Sequence, residues 1–232
     1  MMLGYKKLGG IILGAAALLA LLPAAASAQF IRYSPIFWSF DGRGGIALPV
    51  GDLKDVSDAG ATVGAGLAYF LNPRFALRLD GNIDFLKGKD ETAADAGSEA
   101  PDERLFHFVG GFEVHLTDPS TSRARFTIGA NAGGVVIDGD EFVVNNFDGI
   151  TNAPLQGATT TTAFEDTYFQ VGGSLRLGLK ASRLVDLFVG GQVRWLFVDE
   201  DDTAPIAHFY GTTPFDSGLV IPIEGGIRIN VP

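Results

Sequence analysis

The stretch that decides the fold reads Arg74-Phe75-Ala76-Leu77-Arg78-Leu79-Asp80-Gly81-Asn82-Ile83-Asp84-Phe85. One alternate set of residues is apolar and the other is polar, and the polar set comprises Arg74, Arg78, Asp80, Asn82 and Asp84. A period of two is that of a β-strand, whose successive side chains point to opposite faces. One face is too polar for a protein core and the other is too apolar for water. The pattern therefore predicts a barrel with a lipid-facing exterior and a polar interior.

The same alternation extends along the chain and predicts eight strands. They occupy residues 37–50, 60–72, 74–87, 104–117, 123–137, 164–180, 184–198 and 214–230. Short turns alternate with long loops, the long ones being 51–59, 88–103, 138–163 and 199–213. Short periplasmic turns and long extracellular loops are typical of outer-membrane barrels. A soluble lipocalin-like barrel would carry its apolar residues inside. The predicted fold is an all-β, eight-stranded antiparallel up-and-down transmembrane barrel.

The predicted apolar band has the height of an outer-membrane barrel. From Phe75 to Phe85 there are ten residue steps of about 3.3 Å, which rise about 25 Å when the strand tilts by roughly 40°. Aromatic residues at the two ends of such a band mark the membrane interfaces. The interface aromatics predicted here are Phe75, Phe85, Phe106, Phe112, Trp195 and Phe197.

The first 28 residues have the features of a secretory signal peptide. Lys6 and Lys7 precede an apolar run from Leu8 to Leu22, and Ala26-Ser27-Ala28 form a small-residue cleavage site. A membrane-anchoring helix is the alternative, but the run is shorter than the ~20 residues that a spanning helix needs. The expected organisation is a signal peptide at 1–28 and a barrel domain at 29–232.

Charge and cysteine content exclude several classes of function. The chain has 17 Lys and Arg residues, two of them in the signal segment, so 15 remain against 27 Asp and Glu residues. A mature net charge of −12 makes nucleic acid an unsuitable partner. Since the chain has no cysteine, disulfides and thiolate chemistry are excluded, and we expect no cofactor.

Two stretches resemble the outer-membrane β-barrel domain of the OmpA/OmpX-like superfamily. They run from Gly45 to Leu53 and from Gly64 to Asp80, and the similarity in residue type covers essentially the whole mature chain. The resemblance implies a monomer in the outer membrane of a Gram-negative-type bacterium, in contact with outer-membrane lipid and lipopolysaccharide. It also implies insertion by the barrel assembly machinery, although Ile229 to Pro232 lack the usual terminal aromatic residue. No peptidoglycan-binding domain follows, so we expect no role in peptidoglycan anchoring.

Arginines and carboxylates share the predicted inner face in equal number. Because an eight-stranded barrel is just wide enough for side chains to fill, we expect these groups to form a salt-bridged plug. A narrow selective pore is the alternative, since balanced charges also line wet channels. The predicted network consists of Arg43, Arg78, Arg125, Arg176, Arg194 and Arg228 with Asp41, Asp80, Asp84, Glu113, Asp186 and Glu224.

Catalysis is a competing but weaker hypothesis. Some small outer-membrane barrels modify lipid A with a histidine and a serine or an acidic residue. His107 and His115 lie eight residues apart on one predicted strand, about 26 Å, so they cannot share one active site. Ser174 lies mid-strand without a nucleophile-elbow context. We therefore expect no catalytic and no metal-binding residues.

Most of the acidic residues lie in the predicted extracellular loops. An acidic rim could bind divalent cations that bridge to lipopolysaccharide phosphates, and a simply solvated surface is the alternative. The acids include Asp52, Asp55, Asp58, Asp90, Glu91, Asp95, Glu99, Asp102, Glu103, Asp138, Asp140, Glu141, Asp148 and the run from Asp199 to Asp202. The tract from Thr159 to Thr162 has strand propensity and predicts a hairpin above the membrane.

These observations favour a non-enzymatic barrel with a structural or surface-interaction role through its loops. The alternative function is a small channel of the OmpW-like or porin-like kind, which would pass small hydrophobic or polar molecules. A lipid-A-modifying enzyme is the third hypothesis.

Overall fold

The computed structural model describes residues 36–89, 100–117, 122–147, 154–162 and 165–231, without the side chains of 142–147 and 154–162. The predicted signal peptide lies outside the described residues. In chain order the strands are β1 (Trp38–Val50), β2 (Ser57–Asn72), β3 (Phe75–Gly88), β4 (Glu103–His115), β5 (Ala124–Gly139), β6 (Phe142–Phe147), β7 (Pro154–Thr162), β8 (Glu165–Lys180), β9 (Val185–Phe197) and β10 (Ser217–Val231). The helices are α1 (Leu53–Val56) and α2 (Glu200–Tyr210).

Eight of these strands close into an antiparallel barrel in the order β1-β10-β9-β8-β5-β4-β3-β2. The seam pairs the first strand with the last, from Trp38 opposite Val231 to Val50 opposite Leu219. The predicted fold class and the eight barrel strands are confirmed, with every predicted boundary within three residues of the observed one. A closed barrel leaves no unpaired strand edge, which is what a lipid environment demands.

The barrel wall is apolar outside and polar inside. Leu79 and Phe108 on the outer face expose 62% and 65% of their surface, whereas Asp84 on the inner face is fully buried. Large exposed apolar side chains recur on all eight barrel strands. Exposure of this surface to water would be costly, because removing apolar surface from water is favourable by about 25 cal/mol per Å². Among the described residues, no helix is long and apolar enough to cross a membrane.

Three of the long connections contain regular structure that was predicted only in part. The first holds the single-turn helix α1, and the third holds the β6–β7 hairpin, in which Thr159 to Thr162 pair with 142–145. The prediction of a long acidic loop at 199–213 is wrong in part, because residues 200–210 of this fourth connection fold into α2. Asp199 caps this helix by accepting a hydrogen bond from the Asp201 amide, and Gly211 ends it with φ of 65°. Glu200 to Asp202 occupy its first turn, where acidic side chains stabilise a helix through their favourable interaction with the helix dipole.

The apolar core lies inside the barrel at the end that carries the long loops. Helix α1 contributes Leu53 and Val56 to it, and α2 contributes Ile206, Phe209 and Tyr210. The strand ends next to the long loops supply Leu86, Leu105, Val135, Ile137, Leu196 and Val220. We call this cluster the apolar cap. A smaller cluster of Ala68, Phe70, Ala76 and Ile36 lies at the opposite, periplasmic end.

Candidate functional site: the charged lumen

Twelve charged side chains fill the lumen between the apolar cap and the periplasmic cluster. Each lies on an inward-facing alternate position of a barrel strand, and none exposes more than 9% of its surface. The six guanidinium groups belong to Arg43, Arg78, Arg125, Arg176, Arg194 and Arg228, and the six carboxylates to Asp41, Asp80, Asp84, Glu113, Asp186 and Glu224. We call this set the lumen network. Burial of so many charges is tolerable only when each has a partner at contact distance.

Arg78 contacts three carboxylates from three strands. Its Nε donates to Asp80 Oδ2 at 2.7 Å, and its Nη1 lies 2.7 Å from Asp41 Oδ2. The same Nη1 donates to Glu113 Oε2 at 3.2 Å. A planar guanidinium can serve several acceptors in this way, whereas a lysine ammonium offers one compact charge. Arg78 thereby ties β3 to both β1 and β4.

Glu113 is the centre of the lower part of the network. Arg228 donates to both of its oxygens, at 2.6 Å to Oε1 and 2.9 Å to Oε2. Arg176 donates to Oε2 at 3.1 Å, and His115 Nε2 lies 3.0 Å from Oε1. Four cationic or potentially cationic side chains therefore surround one carboxylate, Arg78 included. Charge-assisted bonds of this kind are roughly twice as strong as neutral hydrogen bonds.

Asp84 has the corresponding role directly below the apolar cap. It accepts hydrogen bonds from Arg194 Nη1 at 2.7 Å and from Thr62 Oγ1 at 2.6 Å. His107 Nε2 lies 3.1 Å away, and the other nitrogen of that ring lies 2.8 Å from Gln170 Oε1. One ring nitrogen of His107 thus faces the charged Asp84 and the other faces the neutral Gln170.

Two further carboxylates, Glu224 and Asp186, each have an arginine partner. Glu224 accepts from Gln192 at 2.7 Å and lies 3.3 Å from Arg43 Nε. Asp186 pairs with Arg125 at the periplasmic end and accepts from Asn230 Nδ2 at 2.7 Å. The contacts run without a break from Asp84 through Arg194 and Glu224 to Arg43.

An aromatic ring and a small cavity border the lower end of the network. The guanidinium groups of Arg176 and Arg228 lie 5.6 and 6.0 Å from the centre of the Phe188 ring, within cation–π range. Beside them Arg125 and Asp186 help to line a cavity of about 10 Å³. A volume of this size holds no more than about one water molecule.

Beside the apolar cap, paired with Leu86, lies Glu103, a buried acid that was predicted to belong to an acidic loop. Glu103 exposes 2% of its surface, and Ser57 Oγ donates to its Oε2 at 3.0 Å. At this level the outer wall carries the half-exposed pair Arg104–Asp138, with N···O of 3.6 Å, so Glu103 lies beyond the apolar band. Burial raises the pKa of Glu103 to about 7, opposed by the Ser57 hydrogen bond and assisted by the charge of Asp102.

The six predicted interface aromatics all lie on the outer face of the barrel. Phe75 stacks on Phe112 across β3 and β4, with ring centres 5.7 Å apart, near the periplasmic end. Trp195 and Phe197 stack at 6.5 Å near the other end, where Phe85 and Phe106 also lie on neighbouring strands. Phe169, which is not among the six predicted residues, joins them with its ring centre 5.9 Å from that of Phe197.

The predicted cation-binding rim lies only partly within the described residues. Among the residues that the structure describes, no three His, Asp or Glu side chains are grouped so as to hold a metal ion. Asp202 accepts a hydrogen bond from Tyr168 at 2.9 Å, and Asp138 and Asp140 lie within 4 Å of Arg104. The acids at 90–99 and at 148 lie outside the described residues.

Solved structures of outer-membrane proteins resemble this barrel. Neisserial surface protein A superposes with a TM-score of 0.51 and 13% identity, over 84% of this chain and 97% of that one. OprG from Pseudomonas aeruginosa gives 0.45 and 9%, over 84% and 97%. The N-terminal β-barrel domain of OprF from the same organism gives 0.41 and 11%, over 83% and 97%. No protein-family model matches the sequence, and no curated protein is similar to it in sequence.

The chain therefore has the fold of the eight-stranded outer-membrane β-barrels of Gram-negative bacteria, consistent with the OmpA/OmpX-like fold predicted above. Its exposed apolar band and its polar, buried interior place the barrel in that membrane.

Proposed function

We propose that this protein is a non-conducting, non-enzymatic outer-membrane barrel that presents its extracellular loops to the cell surroundings. The observation that carries the proposal is the lumen network itself. Each of the six guanidinium groups lies within 4 Å of at least one of the six carboxylates, and each carboxylate within 4 Å of a guanidinium group. A conducting pore of this charge pattern would instead leave room for hydrated ions between its charges.

The apolar cap supports the same proposal. Ile206 and Phe209 of α2 point into the barrel mouth and expose 1% and 3% of their surface. Thr203 fixes this helix over the mouth, since its hydroxyl donates to Phe215 O at 2.8 Å and accepts from Phe215 N at 3.0 Å. A solute from outside would meet apolar packing before it reached the charges.

The arrangement around the two lumen histidines supports a non-enzymatic role. Among the described residues, His107 and His115 are fully enclosed, at 0% and 1% exposure, and each is engaged by a carboxylate. Catalysis at a lipid or peptide surface needs a nucleophile or an activated water beside the base, in reach of substrate.

Conductance tests the closed lumen. Refolded full-length protein in planar bilayers is expected to give no steady conductance of nanosiemens order. A reproducible open pore whose conductance changes in Glu113→Gln, but not in the exterior variant Asp140→Asn, would overturn the proposal and establish the channel alternative.

Loop exchange tests the surface role. The β6–β7 hairpin forms a sheet separate from the barrel, so its replacement by a short Gly-Ser turn should leave the barrel folded. Cells that carry the replaced form are expected to lose binding to host or neighbouring-cell surfaces while the heat-modifiable gel shift of the barrel persists. Equal binding by both forms would contradict a role for this loop, and a matched replacement of 200–210 would then test α2.

A further inference from the structure

The lipid-facing side of β1, β2, β3 and β4 carries a groove. The proposed role of the closed lumen does not explain this groove. Two depressions, of about 630 and 430 Å³, share Leu67, Leu79 and Gly110 and so form one continuous surface feature. We call it the outer groove. Aromatic side chains border it on both flanks, namely Trp38, Phe40, Tyr69 and Phe108.

Strand register explains the depth of the outer groove. Gly42 on β1 pairs with Ala65 on β2, which in turn pairs with Gly81 on β3. Three of the smallest residues therefore lie side by side in one row of the outer face, and Phe108 on β4 follows next to Gly81. With neighbouring strands about 4.8 Å apart, the row forms a floor roughly 10 Å wide. A Cβ atom added at Gly42 or Gly81 would meet nothing within 4 Å, so the floor is open space.

The lower end of the outer groove lies at the periplasmic interface. Trp38 and Tyr69 stand there with ring centres 4.7 Å apart, and residues of these types favour the headgroup level of a membrane. Arg74 is exposed on the β2–β3 turn just below. In the described parts of the periplasmic turns, 72–74, 116–117, 122–123 and 181–184, the charged residues are Arg74, Arg123 and Arg183, with no carboxylate among them.

We propose that the outer groove binds an acyl chain of an anionic phospholipid from the periplasmic leaflet, whose phosphate contacts Arg74. The apolar walls fit a hydrocarbon chain, and a guanidinium is suited to a phosphate by charge and by geometry. A second copy of this chain is the alternative occupant. In a two-fold dimer through this face, however, the two Arg74 turns would adjoin each other as like charges.

The two tryptophans of the chain provide the test, because Trp38 borders the outer groove and Trp195 lies on β9, away from it. Trp195→Phe leaves Trp38 as the sole reporter, and Trp38→Phe leaves Trp195. Each protein is reconstituted in phosphatidylcholine vesicles with increasing fractions of brominated phosphatidylglycerol. We expect quenching of Trp38 to indicate several-fold tighter binding of the brominated lipid than quenching of Trp195 does.

Variants separate the acyl-chain contact from the headgroup contact. Gly81→Leu fills the floor and should lower the Trp38 preference to the level of Trp195. Gly173→Leu, at an outward position of β8 whose nearest contact would be 3.7 Å, should leave it unchanged. Arg74→Gln should abolish the difference in Trp38 quenching between brominated phosphatidylglycerol and brominated phosphatidylcholine. A heat-modifiable gel shift establishes that each variant is folded.

Three results would overturn the proposal. The first is equal quenching of Trp38 and Trp195, and the second is a Trp38 preference that Gly81→Leu leaves intact. The third is a dimer, detected by native mass spectrometry after detergent extraction from the vesicles, that Gly81→Leu dissociates, since a second copy would then occupy the groove.

Discussion

Arg228 and Glu113 form a bidentate hydrogen-bonded ion pair across the full width of the lumen. The distances are 2.6 and 2.9 Å, and the two residues lie on β10 and β4, which are four strands apart in either direction around the barrel. Because each strand belongs to the opposite wall, this ion pair joins the two halves of the barrel directly. The pair is also buried, with 6% of the Arg228 side chain and 1% of the Glu113 side chain exposed.

Loss of Glu113 should be severe. Glu113→Gln leaves Arg228, Arg176 and Arg78 without their shared carboxylate, and removal of one partner from a buried pair typically costs about 3–5 kcal/mol. We expect this loss in the free energy of unfolding, measured by urea titration in lipid vesicles. The matched control is Arg104→Gln, whose half-exposed pair with Asp138 should contribute no more than ~1 kcal/mol. Similar losses in both variants would contradict an energetic role for the lumen network.

A methyl group on the inner wall should disrupt the network sterically. A Cβ at Gly66 would lie 2.1 Å from Arg78 Nη2 and 2.7 Å from Asp80 Oδ1, so Gly66→Ala must displace that ion pair. We expect a lower unfolding temperature for Gly66→Ala by circular dichroism. Gly42→Ala, one strand away and facing outward with nothing within 4 Å, should leave the temperature unchanged or raise it slightly. If both variants unfold at the wild-type temperature, Gly66 does not make room for Arg78.

The buried acid of the cap should make stability depend on pH. Since burial raises the pKa of Glu103 to about 7, the folded state binds its proton more tightly than the unfolded state, whose glutamate titrates near 4.5. Stability from this group is therefore fully present below about pH 4.5 and is lost as the pH rises through 7. The loss is on the order of 3 kcal/mol, and Glu103→Gln should remove it.

Unfolding temperatures between pH 4 and 9 measure this effect. The variant should gain stability over wild type as the pH rises, with the largest difference above pH 7. Glu165→Gln alters an exposed acid at the same end of the barrel and should follow the wild-type curve. Parallel curves for wild type and Glu103→Gln would show that this carboxyl titrates normally.

Removal of the α2 cap residue should loosen the helix without unfolding the barrel. Asp199→Ala deletes the acceptor for the Asp201 amide, a change that costs about 1 kcal/mol at a helix N-terminus. Hydrogen exchange of 201–210 should accelerate about fivefold, while the amides of β4 and β10 keep their protection. Accelerated exchange throughout the barrel would instead mean that α2 and the wall unfold as one unit.

The strands were predictable because one physical rule governs them from end to end. Outward positions face lipid and favour apolar residues, whereas inward positions face the packed lumen and favour polar ones. The pattern from Phe75 to Phe85 therefore sets both register and face. Inward positions of Arg and carboxylate residues followed from the same parity. Which acid meets which base did not follow, since Glu113 contacts Arg78, Arg176 and Arg228 from three other strands.

The cap was missed for a different reason. Its helix had local signals, with Asp199 before an acidic first turn and Gly211 after the last turn. Against these signals stand Pro205 inside the segment, which is unfavourable in a helix interior, and four consecutive acids, which repel one another. What stabilises α2 is contact of Ile206, Phe209 and Tyr210 with strand ends far away in sequence, and such long-range packing leaves no local periodic signal.

Closure of the barrel has a consequence for the order of assembly. Arg228 lies on the last strand, and its carboxylate partners Glu113 and Asp41 lie 115 and 187 residues earlier. Until β10 has paired with β1, Glu113 lacks its two shortest contacts, and Glu224 is not yet beside Arg43. Pairing of the seam strands is therefore also the step that forms the last ion pairs of the lumen network. A barrel that stops one strand short would enter the membrane with the Glu113 carboxylate separated from Arg228.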